Sequence, residues 1–248
     1  MNRIIFSFLI TTLAGLATLL GIIPCYLHKS RESIISKSLA FSAGVMITIS
    51  LTSLIPESVS LLYFDYTKVF VFLIVFIFVV LGIMFSSSID QKIDEHFSNN
   101  NLYKLGLISV IALALHNIPE GITTFISTNS NLSLGITLSL AIALHNIPEG
   151  ISIAVPIYYA TYNRKRAFWY TFLSGFSELF GAILAYLFLA RYMNDFILAL
   201  ILGVTAGIMI HISIYELLPN SWQYKKRKAT IFSFLLGIMT MLVCEMLF

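Results

Sequence analysis

Eight long apolar stretches limit this chain to a membrane-spanning helical fold. A helix needs about 20 consecutive apolar residues to cross a bilayer, and such stretches recur throughout the 248-residue sequence. Charged residues make up 11% of the chain, which is too few to cover a water-facing surface. We therefore predict an all-α polytopic membrane protein in the lipid bilayer, with residues 1–248 forming a single transmembrane domain. The predicted spans are 4–27, 38–58, 67–87, 103–127, 133–158, 167–190, 196–218 and 229–247.

The basic residues indicate which way the chain crosses the membrane. Of the 15 Lys and Arg residues, all but Arg3, Lys68 and Arg191 lie in or beside the loops after spans one, three, five and seven. Cytoplasmic loops are enriched in Lys and Arg, so we predict that these loops are cytoplasmic and that both termini lie outside. The longest of them is predicted at about 88–102. Basic residues scattered over short loops do not predict a nucleic-acid-binding face.

One ten-residue polar motif occurs twice near the middle of the chain. It reads Ala-Leu-Ala-Leu-His-Asn-Ile-Pro-Glu-Gly over 112–121 and Ala-Ile-Ala-Leu-His-Asn-Ile-Pro-Glu-Gly over 141–150. Each copy lies near the middle of a predicted span, where ionisable side chains are costly and usually mark the path of an ion or substrate.

Helix geometry gathers the polar residues of each copy on one face. Glu120 lies about 40° from His116 and about 60° from Asn117 around the helix axis. The second copy repeats the pattern with His145, Asn146 and Glu149. Two such faces turned toward each other would offer nitrogen and oxygen ligands suited to a first-row divalent metal. The central carboxylates could then bridge two adjacent ions.

A proline precedes the glutamate in each copy, at Pro119 and Pro148. Proline lacks the amide that would bond to the carbonyl four residues earlier, so the sequence predicts a bend at each position. Irregular backbone at this depth occurs where it is buried in protein or lines a wet cavity. The pattern is typical of the broken-helix binding sites of transporters.

A second repeat flanks the first. Residues 43–58 and 206–221 are identical at nine of 16 positions, and Leu-Gly-Ile-Met occurs at both 81–84 and 236–239. The matched spans are five apart and so cross the membrane in opposite directions, which indicates an inverted repeat. The central pair of spans lies between the two halves, giving a 3+2+3 arrangement. Ser53 stands where the second copy has Glu216.

Further polar residues lie in the later spans. Span six carries Glu178 within Ser-Gly-Phe-Ser-Glu-Leu-Phe-Gly-Ala, and span seven carries His211 and Glu216. Glu178 is predicted at membrane depth, where an acid is expensive. Glu245, near the end of the last span, is predicted to be a solvated terminal residue.

Through its two His-Asn-Ile-Pro-Glu-Gly copies, the chain resembles the Zrt/Irt-like protein (ZIP) family of metal transporters, and in particular the bacterial zinc-uptake branch called ZupT. The resemblance also covers the eight spans, the outside termini and the Ser-Gly-x-Ser-Glu stretch. It implies a transporter of the bacterial inner membrane, not an enzyme. Such a protein moves a divalent metal, zinc, into the cytoplasm and needs no cofactor beyond the transported ion.

The resemblance also implies two metal sites at mid-membrane, bridged by the two motif glutamates. The ligands implied for the first site are His116, Glu120, His145 and Glu149, with Met46 of span two as a further candidate. The ligands implied for the second site are Asn117, Glu120, Asn146, Glu149 and Glu178. His211 and Glu216 would lie along the transport pathway.

Other interpretations remain open from the sequence. His and carboxylate ligands also suit Fe²⁺, Mn²⁺, Co²⁺ and Cd²⁺, and a homodimer is compatible with the sequence. An intramembrane metalloenzyme is the alternative from another class, although a zinc protease typically carries His-Glu-x-x-His and the spacing here is His-x-x-x-Glu. A carrier of protons or lipid-linked substrates would not need paired His and Asn residues.

Overall fold

The structure, a computed structural model, describes residues 3–27, 30–63, 66–97, 101–189, 194–224 and 226–247. Every regular element in these residues is helical, and eight stretches are long and apolar enough to cross a membrane. The predicted all-α fold with eight spans is confirmed. Spans 1 to 8 are Arg3–Tyr26, Arg31–Leu62, Lys68–Lys92, Leu102–Ser130, Gly135–Thr161, Arg164–Leu187, Asp195–Trp222 and Arg227–Leu247.

The predicted loop at 88–102 is largely helical. The helix of span 3 covers Lys68–Phe97, and the helix of span 4 covers Asn101–Ser130. Residues 85–97 contain neither glycine nor proline, so the sequence has no strong helix breaker where the helix leaves the apolar segment. Residues 98–100 lie outside the described residues. Three of the basic residues that predict the orientation, Lys29, Arg191 and Lys225, also lie outside them.

Spans 2 and 7 share the same backbone irregularity. In span 2 a π-helical segment, Ser50–Leu54, separates Arg31–Ile49 from Ile55–Leu62. In span 7 the π-helical segment Ile212–Leu217 separates Asp195–His211 from Leu218–Trp222. A proline follows each segment, and its missing amide frees a carbonyl of the preceding turn. The repeated sequence thus gives the same local structure twice.

The central helices continue through the motif prolines, and the bends expected there stay predictions. Span 4 and span 5, whose helix covers Leu132–Thr161, remain α-helical through Pro119 and Pro148. The polar motifs therefore lie on continuous helices, not at breaks, because one missing amide leaves the neighbouring hydrogen bonds in place. The remaining helices are Arg3–Leu16 with a 3₁₀ continuation Ala17–Tyr26, Arg164–Leu184 with a π turn Ala185–Leu189, and Arg227–Leu247.

Repeat-related spans pack crosswise. Span 2 packs on span 8, and span 7 packs on span 3. At these crossings Gly44 faces the carbonyl of Phe234, and Gly207 faces the carbonyl of Val79. Gly44 and Gly207 occupy the same position in the repeat, so the two crossings are built alike. The full 3+2+3 arrangement stays a prediction.

The outer surface is apolar, whereas many polar side chains are inside. Val69, Phe72 and Phe76 of span 3 are 61–72% exposed, as suits a surface in contact with lipid. The polar residues of the two motifs are buried between spans. This distribution places the candidate site in the protein interior.

Candidate metal centre

The two copies of the polar motif face each other across spans 4 and 5. His116 Nε2 lies 3.1 Å from Oε1 of Glu120 in its own span and 3.1 Å from Oε1 of Glu149 in span 5. His145 Nε2 lies 2.9 Å from Glu120 Oε1. The helical pattern placed the three polar residues of each copy on one face, and the packing of spans 4 and 5 brings the two faces together.

These contacts leave several ligand atoms unbonded. Of the three contacts, only the one between His145 and Glu120 has the geometry of a hydrogen bond. Among the described residues, both nitrogens of His116, both oxygens of Glu149 and Oε2 of Glu120 lack a hydrogen-bond partner. Buried polar groups are costly unless bonded, so these atoms point to a ligand.

A divalent cation fits this donor set. His116, Glu120 and Glu149 each offer one ligand atom, and these atoms lie within 4.8 Å of one another. All three residues are at most 6% exposed. Imidazole nitrogen with carboxylate oxygen is a combination that binds Zn²⁺ and other first-row metals.

The two asparagines tie spans together and still present free oxygens. Asn117 Nδ2 donates to the carbonyl of Ser174 in span 6 at 3.1 Å, and Asn146 Nδ2 donates to the carbonyl of Ala14 in span 1 at 3.0 Å. Both Oδ1 atoms are buried without a partner among the described residues. The amide nitrogens thus pack the helices, while the amide oxygens remain available as ligands.

Glu178 joins the cluster from span 6. Its side chain is fully buried, and Asn146 Nδ2 also donates to Glu178 Oε1. Glu178 Oε2 has no hydrogen-bond partner in the described part of the chain. The third carboxylate predicted for the centre therefore lies beside one of the two motifs.

The glycine that ends each motif allows a neighbouring span to approach closely. A Cβ on Gly121 would collide with the backbone carbonyl of Glu178, and a Cβ on Gly150 would collide with that of Thr18. These are the close approaches of span 6 to span 4 and of span 1 to span 5. Glycine at these two positions is therefore a packing requirement of the centre.

The cluster contains three acidic side chains and two histidines, without a Lys or Arg partner in the described part of the chain. Glu120, Glu149 and Glu178 are all buried. Buried carboxylates without a cation are strongly unfavourable. Bound divalent cations would supply the missing positive charge.

Span 1 is the part of the centre that sequence reasoning missed. Its residues 14–21, Ala-Gly-Leu-Ala-Thr-Leu-Leu-Gly, align without a gap with residues 174–181 of span 6, Ser-Gly-Phe-Ser-Glu-Leu-Phe-Gly. Ala14 and Ser174, the first residue of each stretch, provide the carbonyls that accept from the asparagines. The spacing of the two glycines was the signal that would have identified this match.

Three residues predicted for the metal site or the transport pathway make contacts away from the two motifs. Met46 is fully buried in the main apolar cluster. His211 Nδ1 lies 3.0 Å from Ser86 Oγ, and Glu216 Oε1 lies 3.8 Å from Lys104 Nζ. Their roles as a ligand or as pathway residues stay predictions.

Glu245 is not the freely solvated residue that we predicted. The hydroxyls of Thr52 and Ser53, in the π segment of span 2, both donate to Glu245 Oε1. Spans 2 and 8 pack together along their length, which brings the end of span 8 to these hydroxyls.

Comparison with known proteins assigns the chain to a family. The family model described as ZIP zinc transporter matches residues 90–245. The chain is 37% identical to the zinc transporter ZupT of Clostridium perfringens, with 100% of this chain and 98% of the relative covered. It is 37% identical to ZupT of Streptococcus mutans, with 98% and 97% covered. It is 38% identical to ZupT of Oceanobacillus iheyensis, with 100% and 99% covered.

The ZIP family consists of transporters, not enzymes, so the intramembrane metalloenzyme is not supported. The match of the family model covers more than half of the chain, and the similarity to ZupT proteins runs through its whole length. With the eight helical spans and the convergent His, Asn and Glu residues, this leads to one assignment. The chain belongs to the ZIP family of zinc transporters.

Proposed function

We propose that this protein takes up zinc, moving it into the cytoplasm through a two-metal site formed by spans 4, 5 and 6. The observation that carries the proposal is the set of buried, unbonded nitrogen and oxygen atoms where the two motifs meet. The names of the bacterial relatives, all zinc transporters, support zinc as the substrate, and the eight apolar spans support a location in the cell membrane.

The first proposed site lies on the histidine side of the two glutamates. Its ligands are His116, Glu120, His145 and Glu149. The distances of 2.9–3.1 Å among their side-chain atoms support this grouping. Met46 remains a further candidate for this site.

The second proposed site lies on the amide side. It uses the free oxygens of Asn117, Asn146 and Glu178 together with the two motif glutamates, each of which keeps an unpaired oxygen. Sharing Glu120 and Glu149 would let an ion be held firmly enough to lose its water yet pass between adjacent sites. The combination of His and carboxylate ligands also accommodates Fe²⁺, Mn²⁺, Co²⁺ and Cd²⁺, which would compete with zinc.

Uptake as the direction of transport rests on the resemblance to the zinc-uptake branch, and the orientation of the protein is proposed from the placement of the basic residues. The ends of the spans that carry the Lys- and Arg-rich loops are proposed to face the cytoplasm, with both termini outside. Among the described residues, Lys226 Nζ at this end donates to Ser30 Oγ at 3.1 Å. That contact is consistent with the two loops lying on one side of the membrane.

Zinc uptake into proteoliposomes tests the proposal. Replacing Glu120 or Glu149 by Ala removes a shared ligand, so we expect uptake to fall at least about tenfold. Glu57→Ala is the matched control, because Glu57 is an exposed acid in span 2 and uptake should be unchanged. Parent-level flux in Glu120→Ala or Glu149→Ala, with normal membrane insertion, would refute a bridging role for these glutamates.

A further inference from the structure

A partly buried ion-pair cluster joins spans 3, 4 and 7 at the end that carries the basic loops. Lys104 Nζ, at the start of span 4, lies 3.0 Å from Asp90 Oδ1 of span 3 and 3.8 Å from Glu216 Oε1 of span 7. The three side chains are only 8–18% exposed. Ion pairs shielded from water are screened less than surface pairs, so this cluster can hold the three span ends together.

The repeat-related positions at the opposite end carry no such lysine. Aligning the two Leu-Gly-Ile-Met sequences places Glu245 at the position of Asp90, and Ser53 at that of Glu216. There the Thr52 hydroxyl donates to Glu245 Oε1 at 2.5 Å, and the Ser53 hydroxyl donates to the same oxygen. The two ends therefore share a plan, but in the described structure a cation bridges the spans at one end and hydroxyls fill that role at the other.

The position equivalent to Lys104 in the second copy of the central repeat is Ser133. The cluster at this end therefore differs from its repeat-related counterpart by two charged side chains, Lys104 in place of Ser133 and Glu216 in place of Ser53. The Lys104 ammonium lies between two carboxylates contributed by two other spans. A cation leaving by this end would be attracted to the same two carboxylates.

Span 4 connects this cluster to the metal centre. Ser109 lies on the same face of the helix as His116, about two turns closer to Lys104. Its side chain is fully buried, and its hydroxyl has no hydrogen-bond partner among the described residues. A route from the metal centre to this end would pass Ser109, which is closed off in this structure.

We propose that Lys104 is a gating residue. Its ammonium holds Asp90 and Glu216 together when this end is closed, and opening requires it to release at least one of them. The assignment of this end as the zinc exit rests on the proposed function. This ion-pair clamp, formed by Lys104 with Asp90 and Glu216, does not require metal, so it can be tested without zinc.

The test measures how readily a reagent reaches position 109 in the purified full-length protein. Cys25 and Cys244, the two free cysteines, are replaced by Ala, and Ser109→Cys is introduced as the reporter. The protein is placed in lipid nanodiscs, which expose both faces, in chelator-treated buffer. The rate of labelling by a membrane-impermeant maleimide is then followed.

Breaking the clamp should speed the labelling. With Lys104→Gln we expect an increase of about fivefold, the effect of losing one partly buried ion pair. Lys104→Arg preserves the charge and should keep the slow rate. Lys165→Gln is the matched control, because Lys165 is an exposed lysine at the same end and should leave the rate unchanged.

A second route guards against a folding defect in Lys104→Gln. The double variant Asp90→Asn with Glu216→Gln removes the other half of the clamp and should also speed labelling about fivefold. Equal rates in parent and double variant, or an equal increase in Lys165→Gln, would overturn the proposal. If the parent protein fails to take up zinc while Lys104→Gln still labels faster, the clamp is supported and the proposed function is refuted, so the two can fail separately.

Discussion

The two sides of the metal centre are built alike in their backbone contacts. On one side the Asn117 amide of span 4 donates to the Ser174 carbonyl of span 6, and on the other the Asn146 amide of span 5 donates to the Ala14 carbonyl of span 1. Ser174 and Ala14 begin matching stretches of sequence. Because the acceptors are main-chain carbonyls, the contact does not depend on the side chain at either position.

The charge of the two sides differs. Four residues further along, span 6 carries Glu178 and span 1 carries Thr18. Glu178 presents a buried carboxylate oxygen without a partner, whereas the Thr18 hydroxyl donates to the carbonyl of Gly15 in its own helix at 2.7 Å. The repeat therefore sets the frame of the centre, and one residue difference decides which outer span contributes an acid.

The largest effect should come from removing that acid. We expect Glu178→Ala to lower zinc uptake at least about tenfold and to reduce the bound zinc from two ions to one, because the second proposed site loses a carboxylate. Thr18→Ala is the matched control at the repeat-related position and should leave uptake within about twofold, since it loses only a local hydrogen bond.

Uptake measured in proteoliposomes, with bound zinc counted by elemental analysis of the purified protein, decides this prediction. Unchanged stoichiometry in Glu178→Ala would remove Glu178 from the ligand set. An equal loss in Thr18→Ala would show that the two sides contribute alike, contrary to the difference in charge.

The features of the fold and site that depend on neighbouring residues in the chain could be predicted from the sequence, whereas those that depend on packing between distant spans could not. The eight spans and the faces of the two motifs were predicted because hydrophobic length and helical spacing are local properties. The role of span 1 was not predicted, because Ala14 acts through a main-chain carbonyl and leaves no polar side chain as a signal. The partner of Glu245 was also missed, because it depends on how spans 2 and 8 pack.

A second comparison, between the two proposed sites, is sharpened by pH. Metal ligands must be deprotonated, so protons compete with zinc. The ordinary pKa of imidazole is about 6.5 and that of a glutamate carboxyl about 4.3. Acidification from about pH 7.5 to about pH 5.5 should therefore weaken the histidine site, by at least about tenfold for each of its two imidazole ligands.

Calorimetric zinc titration across this pH range can separate the sites, because Glu178→Ala should retain only the histidine site. Its single binding step is expected to weaken as the pH falls. A step that keeps the same affinity at both ends of the range would argue against histidine ligation at this site.

The smallest expected effect concerns the hydrogen bonds that hold the frame. Asn146 donates both to the Ala14 carbonyl and to Glu178, whereas Asn117 has one recorded bond, to the Ser174 carbonyl. Asn146→Leu should therefore destabilise the protein by about 1 kcal/mol more than Asn117→Leu, since it leaves one more buried acceptor unpaired. Each variant is the control for the other, because both make the same substitution at repeat-related positions. Unfolding in mixed micelles measures the difference, and equal losses of stability would mean that the contact with Glu178 adds nothing to the fold and serves only to orient that carboxylate.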